Sequence, residues 1–373
     1  SEGEAAAVTS LENAFTGTEI ETFAELKYFT SLSMIEADGF LKCKQLTTLT
    51  LPEGICEIGD NAFTNCQGLT ALHLPASLTR ISDQSVFYNC MNLTGFTVDT
   101  ANNSYSAEDG ILYSKDKSVL VCCPPTKSGF ITLLPTVTTL ENSAFGMCDK
   151  ITGIKLPAGI TIGEGAFVGC SGLTSVDFTA DSESSATTIG IGSFNACSNL
   201  TDFTVDGNKD GVIGVYYKVI DGVLFSTWSD GKLGGLLAYP AAHGSEYTVP
   251  DGTETIGYYA FVMTGIKEVT LPSSLKNILE YAFAYCENLQ KMTVKAVTPP
   301  SCTGAFEQTD LSKAVLYVPA GKKPLYQADD TWNKFYDIEE LDAESGDANI
   351  DGFVDAVDIV TIANYIMFNN MTE

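Results

Sequence analysis

Residues 66–89 read CQGLTALHLPASLTRISDQSVFYN. Leu69, Leu72 and Leu74 stand at L-x-x-L-x-L spacing. The Leu72-His73-Leu74 stretch alternates, which predicts a short strand with both leucines inward and His73 outward. Pro75 has no N–H to donate and ends that ladder. Ile81 and Phe87 are left to supply the opposite wall of a coil. One such unit cannot bury its own apolar side chains, so it requires a copy of itself on either side.

The copies are present. An Ala-Phe-like element recurs at Phe40, Phe63, Phe87, Phe145, Phe167, Phe194, Phe261, Phe283 and Phe306. Most gaps are 22 to 27 residues, and those before Phe145 and Phe261 are much longer. The same grammar fills residues 43–65, 148–169 and 170–196, and returns around Leu271-Pro272 and Cys286. Stacked, these units turn equivalent leucines and phenylalanines into continuous ladders, which is the logic of a leucine-rich-repeat solenoid. A Phe stripe in register with the leucines is read as core. Cys43, Cys66, Cys90, Cys148, Cys170, Cys197 and Cys286 also share one repeat position. A small apolar thiol recurring there reads as a packing group, and the total of 11 cysteines forbids complete pairing.

The two long gaps have related contents. Asp109-Gly110-Ile111-Leu112-Tyr113-Ser114 matches Asp221-Gly222-Val223-Leu224-Phe225-Ser226. Each is followed by a turn-rich stretch and an apolar strand, so each reads as a β-hairpin insertion returning to the repeat. Residues 12–29 are helix-compatible and lack the repeat grammar. Residues 309–341 keep a strand and then read as a helix carrying Tyr326, Trp332 and Phe335. The expected fold is therefore an α/β-type, predominantly β solenoid. It is a right-handed coil with a parallel sheet on one face, two hairpin insertions, helical caps and a short C-terminal calcium-loop-plus-helix segment. The expected organisation is a cap at 1–30, repeats at 31–308 with insertions at about 100–137 and 206–250, a cap at 309–341, and the calcium segment at 342–373.

Over residues 26–341 the chain resembles the BspA-like leucine-rich-repeat proteins of bacterial surfaces, of the Bacteroides type. The resemblance rests on the recurring L-x-x-L-x-L-Pro followed by Ile-Gly-x-x-Ala-Phe, as in Ile58-Gly59-Asp60-Asn61-Ala62-Phe63. The paired Asp-Gly insertions and Leu316-Tyr317-Val318-Pro319-Ala320-Gly321 add to it. It implies an extracellular or outer-surface protein that adheres to host or neighbouring-cell proteins or glycans.

One motif carries defined chemistry. In GDANIDGFVDAVDIVTIANYIM, from Gly346 to Met367, a calcium loop can be laid out. Asp347, Asn349 and Asp351 take positions one, three and five. Gly352 permits the turn, Phe353 offers its carbonyl, and Asp355 and Asp358 take positions nine and twelve. Hard oxygen donors on a tight loop suit Ca²⁺. The last ligand is Asp where an EF-hand has Glu, and a single helix follows the loop. Both features resemble a dockerin repeat, which implies a cohesin-like partner. Dockerins carry two such repeats in tandem and one is present here, so the segment reads as a half-module.

Composition narrows the remaining classes. Forty-seven acidic residues against 20 basic ones give a net charge of −27, which disfavours nucleic acid and anionic lipid as partners. No uninterrupted apolar run approaches the roughly 18 residues of a spanning helix. The start at Ser1 suggests a removed leader. The two histidines, His73 and His243, have no nucleophile placed beside them by a recognisable motif, and no G-x-S-x-G, H-E-x-x-H or P-loop occurs. The expectation is a binding protein with no catalytic site and a ligand on the solenoid face. Thr48, Thr50, Ala71 and His73 are its outward residues.

Overall fold

The structure is a computed structural model, and it describes residues 1–82, 85–180 and 187–341. The chain divides into two compact units, Ser1–Gly214 and Val215–Glu373. Each is a predominantly β solenoid with few helices.

In the first unit the L-x-L segments form parallel strands. Thr48–Thr50, Ala71–Leu74 and Gly95–Val98 make one sheet; Gly129–Thr132, Ile151–Leu156, Ser175–Phe178 and Asp202–Val205 make a second. The expected parallel sheet on one face is present, and the opposite wall is a ladder as well. Met34–Ile35, Glu57–Ile58 and Arg80–Ile81 pair in parallel, as do Val119–Cys122, Thr139–Leu140, Thr161–Ile162 and Thr188–Ile189. Two residues per coil suffice, since the Ile or Leu of each pair packs toward the core and the inner strands bond to the coils on both sides.

The second unit repeats this plan. Glu246–Thr248, Glu268–Leu271, Lys291–Val294, Val315–Val318 and Asp337–Glu340 form a five-stranded parallel sheet. Leu233–Ala238, Thr255–Ile256 and Asn277–Ile278 form the other wall.

Between the walls the Phe rings stack. Phe15, Phe40, Phe63 and Phe87 follow one another at centroid distances of 5.4, 5.5 and 5.9 Å, with planes within 15°. Phe145, Phe167 and Phe194 repeat this at 5.0 and 5.4 Å. In the second unit Tyr239, Phe261, Phe283 and Phe306 do so at 4.8, 4.7 and 5.4 Å. Three of these columns end on edge-on rings: Phe96 against Phe87, Phe203 against Phe194, and Trp332 and Phe335 against Phe306. Edge-to-face contact is the favourable way for a quadrupolar ring to meet its last neighbour.

The recurring cysteines have a second job beside packing. Each thiol points at a backbone carbonyl of the preceding coil and donates to it. Cys43 reaches Phe15, Cys66 reaches Phe40, Cys90 reaches Phe63, Cys170 reaches Phe145, Cys197 reaches Phe167 and Cys286 reaches Phe261, at 2.8 to 3.2 Å. Burial pushes the Cys197 thiol up to about 12 and the Cys286 thiol up to about 11. These are neutral donors, inert as nucleophiles.

Two expectations about the ends are corrected. Residues 12–29 are not a helix; their one helical piece is the short 3-10 turn Ala24–Tyr28. Instead Glu12-Asn13-Ala14-Phe15-Thr16-Gly17 makes the same turn as Asp60-Asn61-Ala62-Phe63-Thr64-Asn65, and Phe15 joins the ring column. Ring stacking and the Cys43 hydrogen bond outweigh the segment's intrinsic preference. At the other end the helix expected through Tyr326, Trp332 and Phe335 is two short pieces, Lys323–Gln327 and Trp332–Lys334. Asp337–Glu340 then extends the parallel sheet. Tyr326 Oη donates to the Ala296 carbonyl at 2.7 Å and Trp332 Nε1 to that of Pro300 at 2.9 Å, which fixes both buried aromatics over the last coil.

Removing one ring from the middle of a column leaves a cavity that stacked neighbours cannot collapse into. Phe63→Ala is expected to cost about 3–5 kcal/mol in equilibrium denaturant unfolding. Thiol titration gives an independent check. Of the 11 cysteines, Cys56 alone is exposed. One thiol should therefore react with a disulfide reagent in the folded protein, and all of them after denaturation.

Candidate functional site

Alternation along each L-x-L strand puts two outward columns on the sheet. In the first sheet of the first unit, Thr48, Ala71 and Gly95 share one column and Thr50, His73 and Thr97 the other. His73 Nδ1 lies 2.9 Å from Thr97 Oγ1, so this histidine serves a cross-strand contact.

The column then stops, and the insertion is the reason. Tyr105–Glu108, Ile111–Ser114 and Val119–Cys122 run antiparallel, and the third of these becomes the wall strand that pairs with Thr139–Leu140. The turn between the first two, Asp109-Gly110, butts against Gly95–Val98. Phe96 N donates to the Gly110 carbonyl at 2.9 Å. A Cβ on Gly95 would come within 3.0 Å of Gly110 Cα, so only two glycines allow this approach. The second unit has the same device in Tyr217–Ile220, Val223–Thr227 and Leu233–Ala238. There His243 packs edge-on to Tyr239 and Tyr247.

The break leaves openings on both walls of the first unit. On one, a cavity of about 270 Å³ lies between Ile81, Tyr105, Val121 and Ser143. On the other, a cleft of about 360 Å³ lies between the Asp109 turn and the strand Gly129–Thr132. Lys127 Nζ spans it to Asp109 Oδ2 at 2.5 Å.

Phe130 stands at the lip of this cleft. It occupies an outward position, and 58% of it is exposed. Its column continues through Gly153, Ser175 and Asp202, and the next column holds Thr132, Lys155, Asp177 and Thr204. The ring lies across Gly153. A Cβ there would fall 2.8 Å from Phe130 Cδ2 and 3.0 Å from both Phe130 Cε2 and Ser175 Oγ. Beside the ring, Lys155 Nζ bridges Asp177 at 3.3 Å and Asp206 at 3.1 Å. Thr204 Oγ1 and Gly207 N also donate to Asp177, at 2.7 and 2.8 Å. The Lys155 ammonium holds the Asp206 carboxyl below its ordinary range, and Asp206 in turn raises Lys155.

Sequence reasoning placed its outward residues in the first sheet and missed Phe130. The available signal was the alternation Phe130-Ile131-Thr132-Leu133, with Ile131 and Leu133 inward. The proposed calcium ligands Asp347, Asn349, Asp351, Phe353, Asp355 and Asp358 lie outside the described residues. Among the described residues, no group of three or more His, Cys, Asp and Glu is gathered to hold a metal ion. Among them also, no helix is long and apolar enough to cross a membrane.

Among solved structures, the chain is similar to a leucine-rich repeat protein from Eubacterium ventriosum, with 21% identity and a TM-score of 0.39, over 75% of this chain and 81% of that one. A leucine rich cell surface protein from Faecalibacterium prausnitzii gives 18% identity and 0.41, over 86% and 85%. The pneumococcal vaccine antigen PcpA gives 15% identity and 0.34, over 84% and 78%. No curated protein matches. The BspA type leucine rich repeat region matches residues 11–115, 122–215 and 242–320, in six copies. These spans take in the phenylalanines of all three columns, the thiol donors and part of each insertion, and the chain belongs to the BspA-type leucine-rich-repeat family.

Proposed function

We propose that this is an extracellular or cell-surface binding protein, without catalytic activity, that adheres to host or neighbouring-cell macromolecules through the outward columns of its L-x-L sheets. The observation that carries the reading is the second sheet of the first unit. Its inward residues are core, while its outward residues combine an exposed aromatic with a lysine and carboxylates held in register. An exposed large ring on a rigid sheet is what an interaction site requires, since the strands hold it still before a ligand arrives. A protein or a glycan ligand suits such a surface.

The test is capture of purified matrix proteins and mucin-type glycans by the immobilised protein, with calcium and with chelator. Retention of at least one of them without calcium is expected. Lys155→Glu sets a third carboxylate beside Asp177 and Asp206 without touching the core. It should weaken that capture tenfold or more, about 1.4 kcal/mol. Equal capture by the variant, or no capture by the parent protein, would sink the reading.

For residues 342–373 we propose, on ligand spacing alone, a Ca²⁺ loop of dockerin type that would serve a cohesin-like partner. Asp347, Asn349, Asp351, Phe353, Asp355 and Asp358 would supply its oxygens. Calorimetric titration should find one Ca²⁺ per chain, absent in Asp351→Ala. A silent titration of the parent chain would discard the loop.

A further inference from the structure

We propose that Phe130, seated across Gly153, is the stacking platform of a carbohydrate subsite that takes a neutral oligosaccharide. The proposal rests on the sheet face being the binding surface, and it names the ligand class of that face.

Three observations carry it. The first is the ring itself. Phe130 is one of the more exposed large apolar residues of the described chain, at 58%. Yet it is not a loose surface side chain, because its Cδ2–Cε2 edge rests on the bare backbone of Gly153. Any other residue at position 153 would lift it. A sugar ring with axial C–H groups presents an apolar face that an aromatic ring held in this way can cover.

The second is the distribution of polar groups. Thr132, Lys155 and Asp177 follow one another in the adjacent column, and Ser175 follows Gly153 in the column of Phe130. Neighbouring strands lie about 4.8 Å apart, so hydroxyl, ammonium and carboxylate groups border the ring at intervals comparable to those between the hydroxyls of adjacent sugar units. The Lys155 ammonium and the Asp177 carboxylate are already held by Asp206, Thr204 and Gly207 N, so they are fixed in place before a ligand arrives. A few fixed polar groups beside an apolar surface are the usual make-up of a small-molecule site. The cleft of about 360 Å³ opens directly off Phe130 and gives an extended chain room to continue.

The third is charge. Three of the cations here are matched: Lys127 to Asp109, Lys155 to Asp177 and Asp206, and Lys209 to Asp202. In these pairs four carboxylates face three cations, and the chain's net charge of −27 repels an anion at long range. Sulfated or sialylated glycans are therefore poor occupants, and a neutral one is favoured.

The experiment is an array of neutral, sialylated and sulfated oligosaccharides, probed with the full chain and followed by calorimetry on the best neutral binder. Enzymatically deglycosylated matrix proteins are spotted beside them. The variants are Phe130→Ala, Phe130→Trp and Gly153→Val, each checked for an unchanged thermal transition. Neutral glycans bound by the parent, at least tenfold more weakly by Phe130→Ala and Gly153→Val and about equally by Phe130→Trp, are the expected result. Unchanged glycan binding by Phe130→Ala overturns the platform. A preference for anionic glycans overturns the ligand class. Binding only to deglycosylated protein also overturns the carbohydrate assignment, but leaves the sheet face standing as the binding surface. Binding to nothing on the array overturns both.

Discussion

The fold depends on the distance between one coil and the next. Two parallel ladders, one on each wall, fix that distance near 4.8 Å, and every recurring residue has to tolerate a copy of itself there. Phe does so by stacking, at centroid separations of 4.7 to 5.9 Å. Cys does so by donating its thiol to the coil before. The Ile-Gly pair does so by leaving space: a Cβ on Gly59 would stand 2.7 Å from Ala37 N, and one on Gly163 would stand 2.6 Å from Asn142 N. The L-x-L-P and Ile-Gly-x-x-Ala-Phe motifs are the trace of one spacing requirement written along the chain.

The same requirement makes the insertions consequential. A coil cannot be lengthened locally without breaking both ladders, because each wall is built from single strands contributed coil by coil. The first insertion breaks the L-x-L ladder at Gly95–Val98 and the opposite wall after Arg80–Ile81, then restores both through Gly129–Thr132 and Val119–Cys122. The first strand after such a break lacks a close neighbour on one side. That is why a cleft opens there and why an outward side chain, Phe130, can lie sideways over the following strand. In the first unit, the large exposed side chain of the sheet face thus stands where the repetition fails.

Much of this was legible in the sequence, and the limits have physical causes. The leucine spacing, the Phe period and the cysteine register depend on nearest neighbours in a repeat, so they show as self-similarity. The first turn was missed because Glu12-Asn13-Ala14-Phe15 lacks the L-x-L-P segment that precedes its relatives, and without it the residues suit a helix. That the second wall is itself a ladder was missed because two-residue strands carry almost no alternation. The outward position of Phe130 could be read from alternation, but its seat could not, for a different reason. Its significance lies in Gly153, 23 positions on, and in the register that sets one beside the other. No local pattern contains that pairing.

The turns around each Phe show how far stacking can override local preference. In ten of them the residues two before and two after the aromatic both have positive φ, from Asn13 and Gly17 to Gly304 and Gln308. In the first unit most of these positions hold Asn, Asp, Ser or Gly, the types that accept a left-handed backbone. In the second unit four of the six hold Tyr259, Met263, Tyr281 and Tyr285, at φ of 60°, 56°, 61° and 56°. A bulky side chain in that region costs roughly 1 kcal/mol or more. Tyr259 and Tyr281 recover part of it from each other, since their rings stack at 5.2 Å with planes 7° apart. They form a second aromatic column outside the core, one coil spacing per ring. The spacing that orders the buried phenylalanines thus orders surface tyrosines as well, and a residue type disfavoured in one turn becomes acceptable when its neighbour makes the same choice.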